Sequence, residues 1–186
     1  MTDPISAITG LTVTGLADSV KVNASADFSA IDLTATAGKN LTVEAKAVGT
    51  AGTPVTVTTS TGSGSVTVTG AGHLSVAPTS TGLVNAVAEK SLTFTAAAAT
   101  STVLIGNAKD GNLTVADGTA AVVMDLAAKG DISVTKTGAG SVKAVAGGTI
   151  TVAGAAAALL TSGDFSSVGE STIDGDALSA MTIPGN

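Results

Sequence analysis

A chain of 186 residues that is 44% hydrophobic, yet carries three Phe and no Trp, Tyr or Cys, has room for one core built from Ala, Val, Leu and Ile. Small aliphatic side chains fill space at native density only where backbones lie close together, which favours thin sheets or tight coils over a globular α/β body. The net charge is −6 and all eight basic residues are Lys, so the charge and the forked guanidinium that phosphate-backbone binding uses are both missing, and no nucleic-acid partner is expected.

Absence of Cys removes disulfide stapling and thiolate chemistry and suits an oxidising exterior. Charged residues make up 12% of the chain, roughly half the usual quarter, so the surface must be mostly Thr, Ser, Gly and Ala. No apolar run approaches the roughly 18 residues of a membrane span; the Ala-rich run Ala155–Leu160 is far shorter. Met1-Thr2-Asp3-Pro4 has neither the basic nor the apolar region of a signal peptide, which predicts either a removed leader or another export route.

In chain order, the recurring feature is an aliphatic residue, a Thr or Ser, and a second aliphatic residue, bounded by Gly, Asn, Asp or Pro. Clear copies are Leu11-Thr12-Val13, Leu41-Thr42-Val43, Val55-Thr56-Val57, Val66-Thr67-Val68, Leu74-Ser75-Val76, Leu92-Thr93-Phe94, Leu113-Thr114-Val115, Ile132-Ser133-Val134 and Ile150-Thr151-Val152. Looser copies begin at Val20, Ile31, Leu83, Val103, Val122 and Val142. They recur about every ten residues, the spacing of short strands in a meander, sandwich or short-coil solenoid. An insertion near Val48 to Pro54 interrupts the period, and Ser60 to Ser65 reads as a turn or flexible loop.

Side chains alternate across a strand, so the aliphatics of each unit share a core face and the Thr or Ser between them faces water. The fold class is therefore all-β. Two strands per coil of about twenty residues give a β-solenoid or β-roll. The same units joined as hairpins, with Asp110-Gly111, Asp117-Gly118 and Gly138-Ala139-Gly140 as turns, give an antiparallel β-sandwich. The solenoid is preferred because short strands with small core residues suit thin coils. Residues 1–152 form the repetitive domain. Residues 153–186 read as its capping segment, opening with helix propensity over Ala153–Leu160 that Gly163 would end.

Candidate chemistry is sparse. Calcium needs roughly six to eight converging oxygens; Asp164, Asp174 and Asp176 in the tail, and Asp110 with Asp117, are the candidate ligands, although Asp-Gly is also an ordinary turn pair. His73 has no second His or Cys to complete a zinc site, and no Gly-x-Ser-x-Gly elbow precedes a helix, so no enzyme activity is expected. Gly38-Lys39 and Gly62-Ser63-Gly64 do not match phosphate-loop spacing and read as β-turns. Outward threonines such as Thr12, Thr56, Thr67, Thr93, Thr114 and Thr151 would order water, as on some ice-binding surfaces, if they lined up. The loose period predicts that they do not form a regular lattice.

Units such as Gly64-Ser65-Val66-Thr67-Val68-Thr69-Gly70 and Gly130-Asp131-Ile132-Ser133-Val134, in an acidic Cys-free chain, resemble surface proteins of Gram-negative bacteria, namely crystalline surface-layer proteins and calcium-repeat adhesins. The resemblance implies export without a cleaved leader and assembly into sheets or filaments at the cell surface. The glycine-aspartate nonapeptide that binds calcium in that group is absent, since Gly147-Gly148-Thr149 lacks its acidic residue. The expected role is a self-assembling subunit of an extracellular surface layer or filament, with copies of itself as partners and a cell-surface polysaccharide as a further one. Two alternatives are an adhesin or phage-fibre binding module, disfavoured by the shortage of aromatic sugar platforms, and a cytoplasmic β-helical polymer.

Overall fold

The computed structural model describes residues 10–15, 19–24, 32–46, 49–61, 64–79, 82–95, 103–116, 122–136, 140–154, 160–174 and 181–182. The strands are β1 (Gly10–Gly15), β2 (Val20–Ala24), β3 (Asp32–Ala37), β4 (Leu41–Ala45), β5 (Val55–Thr61), β6 (Val66–Gly70), β7 (Leu74–Pro78), β8 (Leu83–Ala88) and β9 (Leu92–Thr95). They continue as β10 (Val103–Ala108), β11 (Leu113–Ala116), β12 (Val122–Ala128), β13 (Ile132–Lys136), β14 (Gly140–Ala146), β15 (Ile150–Gly154), β16 (Leu160–Ser167), β17 (Ser171–Asp174) and β18 (Met181–Thr182). Among the described residues there is no helix, and hence none long and apolar enough to cross a membrane.

Odd-numbered strands form one nine-stranded sheet and even-numbered strands another. Every pairing among the described residues is parallel, each strand lying beside the one two places along the chain. This is a β-solenoid, and it excludes the antiparallel sandwich. Asp110-Gly111 turns a corner between β10 and β11 in opposite sheets instead of closing a hairpin. Asp117-Gly118 and Gly138-Ala139 lie outside the described residues, and Gly140 opens β14.

Burial follows the alternation of the Leu-Thr-Val units, but in two of the looser units it is inverted: Val84 and Leu104 are buried, while Leu83, Val103 and Ile105, expected on the core face, lie on the outer one. In β4 the pattern is buried at Leu41, Val43 and Ala45 and half-buried between them; β5 and β7 repeat it, and β6 does so with Thr69 exposed. Parallel sheets usually carry near-continuous apolar strands because both faces are covered. Here the inner face alone is covered, so the strands keep a period of two.

Stacking turns that alternation into columns. Leu74, Leu92, Leu113, Ile132 and Ile150 follow one another down one sheet, and all are buried. In the other sheet Ala45, Gly70, Ala88, Ala108, Ala128 and Ala146 form a column of small residues. Each ends its strand, and all but Ala45 stand just before a short corner such as Glu89-Lys90-Ser91 or Lys129-Gly130-Asp131. The sheets converge there, and a Cβ on Gly70 would already stand 3.2 Å from the Leu74 Cβ. Small residues are what a narrowing wedge admits at native packing density.

The insertion near Val48 to Pro54 becomes a loop between β4 and β5. Residues 47 and 48 lie outside the described residues, and Gly49 takes φ 56°, a left-handed conformation that suits glycine. The loop is closed by Thr50 N–H donating to the Thr53 carbonyl at 3.0 Å and Thr53 N–H donating to Thr50 Oγ1 at 3.0 Å. Ser60 and Thr61, read from the sequence as turn, extend β5, and the Thr59 and Thr61 side chains point into the core.

Strands also continue past residue 152, where the sequence suggested a cap. Ala153 and Gly154 close β15 and Leu160 opens β16, while residues 155–159 lie outside the described residues. β16, β17 and β18 add to the same two sheets. Gly163 does not end a helix; it faces the core within β16, and a Cβ there would stand 2.3 Å from the Phe165 ring.

Candidate functional site

Among the described residues, side chains recur from coil to coil on a corner and on two outer faces, and the most polar of these is the corner that follows β8, β10, β12 and β14. Its backbone continues the parallel ladder, as in Lys109 N–H to the Ala88 carbonyl at 3.0 Å and Lys129 N–H to the Ala108 carbonyl at 3.1 Å. Side chains add a second ladder: Asp131 N–H donates to Asn112 Oδ1 at 2.9 Å. Thr149 donates to Asp131 Oδ1 through its N–H at 2.8 Å and its hydroxyl at 2.9 Å. These bonds hold the Asp131 carboxyl below its usual range, the Thr149 N–H contributing most.

Asp110 sits in the same corner with Lys90 at 2.6 Å and Lys129 at 2.7 Å, and Lys109 pairs with Glu89 one coil away. Lys129 first, then Lys90, lowers the Asp110 pKa from 3.8 to about 2, and Asp110 in turn raises that of Lys129. A depressed carboxylate contributes stability that is present above its unfolded pKa and lost as pH falls through its folded one. The melting temperature is therefore expected to drop on acidification from pH 3.8 to about 2, and Asp110→Asn should flatten part of that slope. The pairs are exposed, so the difference is small and shrinks in high salt.

Of the proposed calcium ligands, the three that are described, Asp110, Asp164 and Asp174, lie apart on the solenoid. Asp110 holds two ammonium groups in the corner. Asp164 is exposed on the outer face of β16, beside Lys143 in register. Asp174 closes β17 in the opposite sheet, and Asp117 and Asp176 lie outside the described residues. Among the described residues no three His, Cys, Asp or Glu gather as a metal site. His73 ends the corner between β6 and β7 and its carbonyl accepts the Val55 N–H at 2.9 Å. Its Nδ1 is buried without a hydrogen-bond partner among the described residues. Gly38-Lys39 turns between β3 and β4; Gly62 and Ser63 lie outside the described residues.

The outer face of the odd sheet is a hydroxyl array. Thr56, Ser75, Thr93, Thr114, Ser133, Thr151 and Thr172 stand side by side on seven successive strands. Two residues along each strand runs a second row in two stretches, Thr12, Thr34, Thr58 and Ala77, then Thr95, Ala116, Thr135 and Ala153; between them the β7–β9 ladder ends at Val76 and Phe94, and the Thr95 hydroxyl donates to the Val76 carbonyl at 3.5 Å. In register the rows meet acidic residues only at their margins, Asp32 beside Thr56 and Asp174 beside Ala153.

The expectation that a loose period would scatter the threonines is overturned. Coil length varies from 18 residues, Val76 to Phe94, to 25, Leu41 to Val66. The corners take up the variation, and the strands stay aligned. Thr56, Thr93, Thr114 and Thr151 share one row, Thr12 stands in the next, and Thr67 lies in the other sheet. Ser75, Ser133 and Thr172 complete the row, and taking every second unit along the chain would have found them.

The outer face of the even sheet differs. Its central row carries Lys21, Thr42, Thr67, Asn85, Ile105, Asp125, Lys143 and Asp164 in turn, with Lys21–Glu44 at 3.1 Å and Lys143–Asp125 at 3.7 Å. Beside it Leu83, Val103 and Val123 stack on adjacent strands. Leu83 is 38% exposed, Val123 49% and Val145, on the neighbouring strand β14, 48%. No family model, curated protein or solved structure matches this chain.

Proposed function

We propose that this chain is a structural subunit that assembles with copies of itself into an extracellular surface layer or filament. The observation that carries the reading is the aliphatic patch on the even sheet: Leu83, Val103 and Val123 in one column, with Ile105 partly exposed beside them. Contiguous apolar surface on an otherwise hydroxyl-rich exterior marks a contact site. Lys143 flanked by Asp125 and Asp164 on the same face supplies charges of both signs to fix the register of a neighbour. Acidic, Cys-free composition supports a place outside the cell.

Light scattering and electron microscopy of the purified chain, with and without calcium, test the proposal. The wild type is expected to form assemblies, and Leu83→Lys combined with Val123→Lys is expected to raise the concentration for half-assembly by about tenfold or more, equivalent to about 1.4 kcal/mol per tenfold. Both positions point outward, so the variant keeps its core and its melting behaviour. A wild type that stays monomeric under every condition overturns the reading.

A further inference from the structure

The two outer faces have opposite chemistry, and the hydroxyl face is not used by the assembly just described. We propose that the outer face of the odd sheet binds ice, its threonine rows anchoring an ordered layer of water that merges with a crystal face. Three observations carry this. The first is mesh: parallel strands place neighbours in a row about 4.8 Å apart and the two rows about 6.6 Å apart along the strand, close to the oxygen repeats on faces of ice. The row from Thr56 to Thr172 spans seven strands, about 29 Å at that spacing.

The second is regularity. The odd sheet's pairings run without a register shift, whereas a shift falls between Gly140 and Ser141 in the other sheet. The third is electrostatic match. Ice is an uncharged hydrogen-bonding lattice, and from Ser75 to Thr151 the rows hold only Thr, Ser and Ala, whereas Lys21, Asp125, Lys143 and Asp164 stud the other face. Charged groups hold water radially around themselves, which competes with a lattice. Each Thr instead offers a hydroxyl to anchor one water and a methyl that discourages disordered water beside it. Ala77, Ala116 and Ala153 keep the methyl.

The test is uptake of the purified chain into slowly grown ice, with microscopy of single crystals held just below melting. Wild type is expected to enter the ice and to facet the crystals. Thr93→Lys with Thr114→Lys, at the centre of the face, is expected to lose both effects, while Thr67→Lys on the opposite face retains them. Circular dichroism and melting establish that each variant is folded, and light scattering on the same samples follows self-association separately. Exclusion of the folded wild type from ice, monomeric or assembled, overturns the proposal. So does a Thr93/Thr114 variant that enters ice like the wild type, or one that loses self-association while ice uptake is unchanged, which would make the face a contact between copies.

Discussion

Replacing Phe94 with alanine is expected to lower the unfolding free energy by about 3–5 kcal/mol, the range for deleting a buried phenyl. Phe94 is 1% exposed and stands between Val76 and Val115 in its column. Across the core its ring reaches the backbone of Gly106, where a Cβ would lie 2.7 Å from Phe94 Cε2 and 3.0 Å from Leu113 Cδ1. A large side chain on one sheet is accommodated by the absence of one on the other. Parallel ladders on both sides fix the distance between coils, so the space left by the ring cannot close. The same geometry makes Gly106→Ala unfavourable by about 1–3 kcal/mol through overpacking. In a Phe94→Leu background the alanine should be partly accepted, with a coupling of about 0.5–3 kcal/mol in a double-mutant cycle. Urea titration of the four proteins measures it, and strict additivity would contradict the contact.

Gly147→Ala is expected to destabilise by about 1–3 kcal/mol, although Gly147 is exposed. Its added Cβ would lie 2.2 Å from the Lys129 carbonyl oxygen of the coil beside it. That is backbone against backbone, so no rotamer change relieves it. The corner must move apart, and with it the bond from Gly147 N–H to the Ala128 carbonyl at 3.0 Å. Gly52 is equally exposed, in the loop between β4 and β5, and has nothing within 4 Å of a built Cβ. Gly52→Ala should therefore be neutral, or stabilising by about 0.4–1 kcal/mol through the unfolded chain. Thermal melts of the two variants separate them; equal effects would show that coil-to-coil contact is not what selects glycine at the corner.

Strand positions were legible because Leu-Thr-Val units alternate with a period of two, and the units from Leu11 to Val152 fall in β1 to β15, Ile31 itself lying outside the described residues. The direction of pairing was less legible, because parallel and antiparallel strands share that alternation. A deciding signal exists in the small residues Ala45, Gly70, Ala88, Ala108, Ala128 and Ala146. They close every second unit and so mark a coil of two strands. In the tail, β16 was hidden because glycine occupies the inward position at 163 and the aliphatic pattern breaks there. The hydroxyl rows were hidden for a different reason. Spacing along the chain mixes strand and corner, and the corner lengths vary while the strand registers do not.

Every sheet pairing joins residues one coil apart, whichever coil is chosen. The entropy of closing a loop depends on its length, so each coil adds to its neighbour at nearly the same closure cost, however long the solenoid is. Lengthening the molecule lowers its relative contact order, the topological quantity that slows the folding of most β-proteins. Folding can then start at any well-packed coil and spread to both sides.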